Sequence, residues 1–475
     1  MSSESRDIPR TNLSVKPRGS STSLGTTPAA KPRRQLGLFD ATMIVMGGIV
    51  GAGIFANPSE VAHRVHTPFL ILGVWVLGGL LAMCGAFIWA ELATRLPGAA
   101  GGQYVYLRDA YHPAVAFVYG WGLLLVTQTG GMAAVAVIFA SYFRELTGVL
   151  WNESMIAAAA LSMLTAINCF GARAGSNVQS GLMLLKIGAI AALVIIGFAV
   201  GGHASEASKQ VLEKLYPFDL LKSIGAAMVP IAFAYGGWQT ATFVAAEIRD
   251  PRRDLSRGLL LGVAGVVTLY LAVNLACLRV LGPAGLDATR TPASDLMRIA
   301  LGESGARWIA LAITISALGF LSQSMLTAPR VYYAMARDGL FFASVGKLFG
   351  KSEAPVVAII LQGFAAIVIA CSGTYGEILN FEVTVDFIFF GMTAAALFIL
   401  RQRGIGSDSV TYRVPGHPFT TILFVLSCAG IVVSAIIASP ANSAIALCIM
   451  VAALPVYYFW RRFSRTSSQD GTATE

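Results

Sequence analysis

The feature that most constrains this chain is a series of long apolar segments. A helix needs about 20 mostly apolar residues to cross the hydrocarbon core of a bilayer. Only 12% of the 475 residues are charged, and the mean hydropathy is +0.68. The sequence therefore predicts an all-α polytopic membrane protein with twelve transmembrane helices. The predicted spans cover approximately 39–62, 68–94, 113–143, 154–171, 177–201, 223–246, 257–280, 307–330, 355–373, 376–400, 418–438 and 441–460.

The basic residues predict the orientation of these spans. Twelve spans place both termini on one side, and the tails and loops of that side hold 24 of the 34 Lys and Arg residues. The other side holds nine, and Lys186 lies inside a span. Because cytoplasmic loops are enriched in Lys and Arg, both termini are predicted to be cytoplasmic. These loops also account for the net charge of +9, and no nucleic-acid partner is expected.

The remaining composition limits other functions. Residues 1–35 are polar, without the apolar core of a signal peptide, and are predicted to be a disordered cytoplasmic tail. Residues 463–475 form a second predicted cytoplasmic tail. The six cysteines all lie in apolar segments, and no pair has the spacing of a metal site. We expect neither a metal nor a cofactor.

Two of the predicted spans contain sequences that disfavour a continuous helix. Residues 47–62 read GGIVGAGIFANPSEVA, and residues 233–238 of span 6 read FAYGGW. Taken alone, Gly47 and Gly51 form a G-x-x-x-G pair, which is typical of close helix packing and equally compatible with a binding site. Two such breaks, about 184 residues apart, favour the binding site.

The spacing of the breaks extends along the chain and predicts an internal repeat. Spans 1–5 correspond to spans 6–10 at a separation of roughly 190–200 residues. Because five spans is an odd number, the two units must have opposite orientations in the membrane. Secondary transporters with such inverted repeats bind their substrates near the midplane, at discontinuous helices. The predicted parts are a first repeat at 36–203, a second at 204–404, and spans 11 and 12 at 405–462.

Unwound backbone inside a membrane must find hydrogen-bond partners, because lipid offers none. A half-helix N-terminus presents free amides that suit a carboxylate, and a half-helix C-terminus presents carbonyls that suit an ammonium. A free α-amino acid carries both groups. The candidates are the amides of Gly51, Ala52 and Gly53 and the carbonyls of Ile49, Phe233 and Ala234.

Several motifs together resemble the amino acid–polyamine–organocation superfamily, and most closely the bacterial permeases that are similar to the L-type amino acid transporters. The resemblance implies a LeuT-like 5+5 inverted repeat plus two peripheral helices, in a bacterial inner (plasma) membrane. The motifs are GIVGAGIF (48–55), ELATRLPGAAGGQYVYLRDAY (91–111), FAYGGW (233–238), EIRDPRRDL (247–255) and APRVYYAMARDGLFF (328–342).

The resemblance also implies residue roles within the breaks. The amides of the first break and the carbonyls of both breaks would hold the substrate's carboxylate and amino group. Phe233 would act as the outer gate, and Gly236 would leave room for the substrate side chain. Trp238 and Gln239 would line the site or brace span 1.

Ionisable and polar residues inside spans are candidates for coupling. The resemblance implies that Lys186 of span 5 takes the place of a sodium ion between spans 1 and 8, reaching backbone near Gly51 and the hydroxyl of Ser316. Sodium-independent transport would follow. Asp386 lies at the equivalent depth in span 10, where it either carries a coupling proton or is a wetted or hydrogen-bonded polar residue. Gln128 of span 3 either contacts substrate or bonds a neighbouring helix.

The function expected is secondary active transport of neutral or small amino acids, by proton symport or exchange with alternating access. A transporter or antiporter of cationic amino acids or polyamines is the alternative. No intramembrane histidine, metal cluster or nucleophile with a base predicts an enzyme, and the paired breaks disfavour a channel. The expected partners are the amino acid, the lipid bilayer and protons. Residues 144–153 lack the cysteine with which animal L-type transporters bind an ancillary glycoprotein, so no disulfide-linked subunit is expected.

Overall fold

The structure of the chain is a computed structural model that describes residues 36–51, 53–97, 99, 101–169, 175–200, 217–349, 355–372 and 375–470. These residues are almost entirely helical, and an isolated parallel β bridge joins Leu36 and Ile248. The helices are α1 Leu38–Ile49, α2 Gly53–Val65, α3 Pro68–Arg95, α4 Gln103–Ala110, α5 Pro113–Gly122, α6 Gln128–Thr147, α7 Glu153–Cys169, α8 Gly175–Ala199, α9 Pro217–Tyr235, α10 Thr240–Phe243, α11 Ser256–Ala288, α12 Pro292–Thr327, α13 Pro329–Arg337, α14 Val356–Ser372, α15 Tyr375–Gln402, α16 Phe419–Ala438 and α17 Pro440–Asp470.

The long apolar segments of the sequence are helical, as their length and hydropathy predict. Within the described residues, eight helices or joined helices are long and apolar enough to cross a membrane. The pair α1 and α2 makes a ninth candidate, bent by 42° at its break, and three further apolar helices are shorter. A helical polytopic membrane protein is thus the architecture found. The count of twelve spans and the LeuT-like inverted repeat stay predictions.

Two glycines that interrupt a helix lie within about five residues of predicted span boundaries. Gly282 has φ +68° within α11, and Gly302 has φ +68° within α12. Because L side chains rarely adopt this left-handed conformation, glycine at each position permits the turn that interrupts the helix. The predicted N-terminal tail, residues 1–35, and the predicted boundary between the repeats near residue 203 lie outside the described residues. The predicted C-terminal tail begins at residue 463, but α17 continues as a helix to Asp470.

The helices pack around the two broken segments. The halves of the first break contact α11 and α9, α12 packs along α6, and α15 packs against α16. Large apolar side chains such as Leu80, Phe364, Phe419 and Leu426 remain exposed on the outer faces of their helices. Exposed apolar surface on many helices suits hydrocarbon rather than water.

One end of the bundle is held by ion pairs. Glu91, at the end of α3, is fully buried and binds Arg95 at 2.9 Å, Arg401 at 2.9 Å and the amide of Val414 at 2.8 Å. Glu247 pairs with Arg330 at 2.7 Å. The sequence places these carboxylates near inner span ends, where we expect them to pair with loop arginines. Both do pair with arginines, but Arg95, Arg330 and Arg401 lie in helices rather than in loops. This end of the bundle is the predicted cytoplasmic side.

Candidate functional site

The structure brings the two breaks into direct contact. Gly237, in the unwound part of span 6, has φ +105°. A Cβ added there would lie 2.1 Å from the carbonyl oxygen of Gly48. A Cβ added at Gly48 would in turn lie 2.7 Å from the carbonyl oxygen of Gly237. Glycine is therefore required at positions 48 and 237 because the two backbones approach too closely for a Cβ atom. At Gly237 it also permits the positive φ of the unwound segment.

The first break separates α1 from α2 at residues 50–52, and Ala52 lies outside the described residues. The amide of Gly51 donates to the Ile49 carbonyl at 2.8 Å. The same carbonyl accepts the buried hydroxyl of Tyr270 at 3.1 Å. Both lone pairs of the Ile49 carbonyl oxygen thus accept hydrogen bonds in this conformation. The amides that open α2, beginning with Gly53, are those that lack partners within their helix.

Lys186 contacts the same break from α8. Its side chain is 2% exposed, and its Nζ donates to the Val50 carbonyl at 3.1 Å. The predicted contact with Ser316 is not formed: the Ser316 hydroxyl is buried and has no hydrogen-bond partner among the described residues. An ammonium on a stranded carbonyl satisfies a backbone group that lipid cannot.

The second break follows α9 and is held by its own side chains. The side-chain carbonyl of Gln239 accepts the amide of Gly237 at 3.0 Å, and the Thr240 hydroxyl donates to the Gly237 carbonyl at 2.7 Å. The Phe233 ring crosses to the first break, where a Cβ at Gly53 would lie 3.3 Å from it. Phe233 thus covers the start of α2.

A cavity lies between the breaks and three further segments: the π-helical turn Leu123–Thr127 with α6, the second half of α12, and α15. About 50 Å³ of it is open to the centres of water molecules. None of its described lining residues is Lys, Arg or His. They are Gly48, Ile49, Gly51, Gly53, Leu123, Thr127, Gln128, Gly131, Val135, Phe233, Ala234, Gly236, Gly237, Gln239, Thr240, Phe320, Gln323, Ser324, Thr327, Glu382 and Asp386.

Some candidate residues lie elsewhere. Trp238 is 2% exposed and packs against Trp89 and Phe390, with ring centroids 6.4 and 5.1 Å away, and it is absent from the cavity lining. Lys186 and Ser316 also lie outside this lining. The other candidates within the described residues, including Gln128 and Asp386, reach the cavity.

Sequence reasoning missed the contribution of α12. Phe320, Gln323, Ser324 and Thr327 line the cavity at the spacing of one helix face. The Phe320 ring lies 3.3 Å from a Cβ added at Gly51, and the Gln323 amide donates to the Ile44 carbonyl at 2.9 Å. Polar residues at helical spacing within an otherwise apolar span were the available signal.

The arrangement can hold a small zwitterion. The first amides of α2 carry the positive end of a helix dipole, and the last carbonyls of α9 carry the negative end of another. The two ends face one cavity, so one ligand with a carboxylate and an ammonium can contact both. No group of side chains within the described residues could hold a metal ion.

Comparison with known proteins agrees with this geometry. The profile of a family described as amino acid permease matches residues 36–457. The chain belongs to the amino acid permease family. The resemblance to the amino acid–polyamine–organocation superfamily is thereby confirmed. The permease is a transporter rather than an enzyme, and its apolar helices make it a multi-pass membrane protein.

Individual relatives of the permease are also transporters. It is 29% identical to the serine/threonine exchanger SteT of Bacillus subtilis, over 90% of this chain and 96% of the relative. It is 26% identical to the human large neutral amino acids transporter small subunit 2, over 90% and 81% of the two chains. It is 26% identical to the mouse b(0,+)-type amino acid transporter 1, over 92% and 89%.

Proposed function

We propose that this permease is a sodium-independent secondary active transporter of small neutral α-amino acids. It works by alternating access, with exchange or proton symport. The observation that carries the proposal is the pair of broken helices meeting at Gly48 and Gly237 beside a shared cavity. The relatives, among them a serine/threonine exchanger and a large neutral amino acids transporter subunit, support the substrate class.

The substrate's backbone would be recognised by the breaks. Its carboxylate would bind the amides that begin α2 at Gly53. Its ammonium would bind carbonyls at the end of α9, chiefly that of Ala234, since the Ile49 carbonyl already accepts two donors. The absence of a side chain at Gly236 leaves room for a substrate side chain beside Phe233.

Sodium independence would follow from Lys186. Its ammonium donates to the carbonyl of Val50, so a cation already serves this break, and a second positive charge beside it would be repelled. We further propose that the permease lies in a bacterial plasma membrane with both termini in the cytoplasm. It would work without a disulfide-linked subunit.

Uptake of radiolabelled L-serine into proteoliposomes containing the purified permease tests this function. We expect uptake that is stimulated by unlabelled L-serine inside or by an inward proton gradient. It should be unchanged when choline replaces sodium, and reduced by small neutral amino acids in a panel of twenty competitors. A protein-free liposome is the control. Lack of competition by every amino acid in the panel contradicts the transporter proposal, and a requirement for sodium contradicts its coupling.

The alternative substrate class, cationic amino acids or polyamines, also has an observation in its favour. Neither break contains an acidic side chain, which favours neutral substrates. However, Glu382 and Asp386 line the same cavity from α15. A positively charged substrate side chain could reach them.

A further inference from the structure

Glu382 and Asp386 form an acidic pair on the wall of the cavity. They lie four residues apart on α15, hence on one helix face, and both line the cavity that contains the breaks. The pair therefore lies on the α15 wall of the cavity that a substrate would occupy.

Two buried polar atoms at this wall have no hydrogen-bond partner among the described residues. One carboxylate oxygen of Glu382, Oε2, is buried without a hydrogen-bond partner among the described residues. Thr127, from the π-helical turn, lines the same cavity and is only 3% exposed, and its hydroxyl has no hydrogen-bond partner among the described residues. Buried polar atoms are rarely left unpaired in native proteins, so a ligand or water is expected here.

No basic side chain of the described lining faces the acidic pair. None of the described residues that line the cavity is Lys, Arg or His. Two carboxylates that face one cavity repel each other when both are ionised, and a cation placed between them relieves that repulsion. An ammonium or guanidinium can donate several hydrogen bonds at once, which fits two carboxylates and a hydroxyl.

The opposite helix leaves room for the carboxylate of Glu382. A Cβ added at Gly131 would lie 2.9 Å from its Oε1, whereas a Cβ added at the neighbouring Gly130 would meet only atoms at 3.8 Å. The carboxylate thus rests against bare backbone of α6, and its position depends on glycine at 131.

We propose that Glu382, Asp386 and Thr127 form a cation subsite that binds the terminal ammonium or guanidinium of a dibasic amino acid, while the two breaks hold its α-carboxylate and α-amino group. The inference rests on the proposed function and extends its substrate range from neutral to dibasic amino acids. The breaks recognise what all α-amino acids share, and the α15 wall recognises the charge at the end of the side chain.

A matched pair of ligands tests the subsite. L-Lysine and L-2-aminoheptanoic acid have side chains of the same length, and the second ends in a methyl group where lysine has its ammonium. Binding of each is measured by competition against radiolabelled L-serine on the purified permease. The wild type should bind L-lysine. In Glu382→Gln and Asp386→Asn, the affinity for L-lysine should fall by at least about tenfold, while that for L-2-aminoheptanoic acid stays within about threefold.

The variants Gly131→Ala and Gly130→Ala provide a second test, which depends on the position of the Glu382 carboxylate. Both replace a glycine of α6 by alanine, but only the first displaces the Glu382 carboxylate. Gly131→Ala should therefore weaken L-lysine binding selectively, and Gly130→Ala should not. Retained serine binding in each variant reports that the protein is folded.

Three outcomes separate the subsite from the proposed function. If serine binds but L-lysine does not compete in the wild type, the subsite is overturned and the transporter proposal stands. If the carboxylate variants lose both test ligands equally, the pair is structural and the subsite is overturned. If no amino acid competes with serine, the proposed function itself fails.

Discussion

At the scale of single residues, the first break is stabilised by three donors. The Ile49 carbonyl accepts the Gly51 amide and the Tyr270 hydroxyl, and the Val50 carbonyl accepts Lys186. Each donor comes from a different part of the chain. An unwound helix in lipid would otherwise leave these carbonyls unpaired, so the break persists because neighbouring helices satisfy it.

Gly237→Ala tests the contact between the breaks. A methyl group would lie 2.1 Å from the Gly48 carbonyl, on a residue with φ +105°. We expect transport to be lost and the free energy of unfolding to fall by about 1–3 kcal/mol from backbone strain alone. Serine uptake and thermal unfolding measure the two effects.

Gly430→Ala is the matched control for this substitution. A Cβ there would meet no atom within 4 Å, and the residue lies in α16, away from the breaks. Uptake should be unchanged. Wild-type uptake by Gly237→Ala would contradict the assignment of close backbone contact at this point.

Lys186→Met tests the ammonium at the first break. Methionine fills similar space but leaves the buried Val50 carbonyl without its donor. A buried acceptor without a partner costs about 1–3 kcal/mol, so we expect serine uptake to fall by roughly tenfold or more. Protein yield and elution as a single species report folding, and uptake equal to that of the wild type would contradict a role for this contact.

The same variant locates the coupling proton, if transport is proton-coupled. The residual uptake of Lys186→Met should then no longer depend on external pH, while that of Asp386→Asn should keep the dependence. The reverse result would assign the proton to Asp386.

Some cavity-lining residues could be predicted from the sequence because their place there depends on the backbone. Gly51, Gly53 and Gly236 follow from the need for bare backbone at a break, and all three line the cavity. Trp238 and Gln239 are adjacent in the same motif, yet only Gln239 lines the cavity. The direction of a side chain in an unwound segment depends on local turns that periodicity does not describe.

At the scale of elements, the predicted cytoplasmic end joins α3, α15 and the segment before α16 through one carboxylate. Glu91 is fully buried and binds Arg95, Arg401 and the Val414 amide. A carboxylate removed from water is favourable only when it is fully paired. Relative movement of α3 and α15 would therefore be opposed at this end.

Arg401→Met should destabilise the permease by an amount near the lower end of about 3–5 kcal/mol, because Arg95 and the Val414 amide remain bound to Glu91. Arg144→Met is the control: its pair with Glu153 is exposed, with side chains 43% and 39% accessible, and its loss should change stability by no more than about 1 kcal/mol. Thermal unfolding of both variants in one detergent measures the difference. Equal losses of stability in the two variants would indicate that burial of Glu91 does not increase the cost of removing its partner.

At the scale of the whole molecule, the orientation can be tested by fusions. Green fluorescent protein attached after Glu475 should fluoresce, because the C-terminus is predicted to be cytoplasmic. Alkaline phosphatase attached after Trp151, in the loop between α6 and α7, should be active, since that loop is predicted to be external. Exchanging the two reporters is the control. An active phosphatase after Glu475 would reverse the orientation.

The sequence by itself determined the class of fold and the position of the breaks. Apolar length and charge distribution depend only on local composition, and a helix in lipid opens where glycine permits it and ligands or neighbours satisfy its backbone. Only the tertiary structure decided which side chains share the cavity. Phe320 and Gln323 of α12 and Glu382 of α15 line it because helix rotation and packing turn them inward, and rotation is set by contacts between segments far apart in the chain. Tyr270 reaches the Ile49 carbonyl for the same reason.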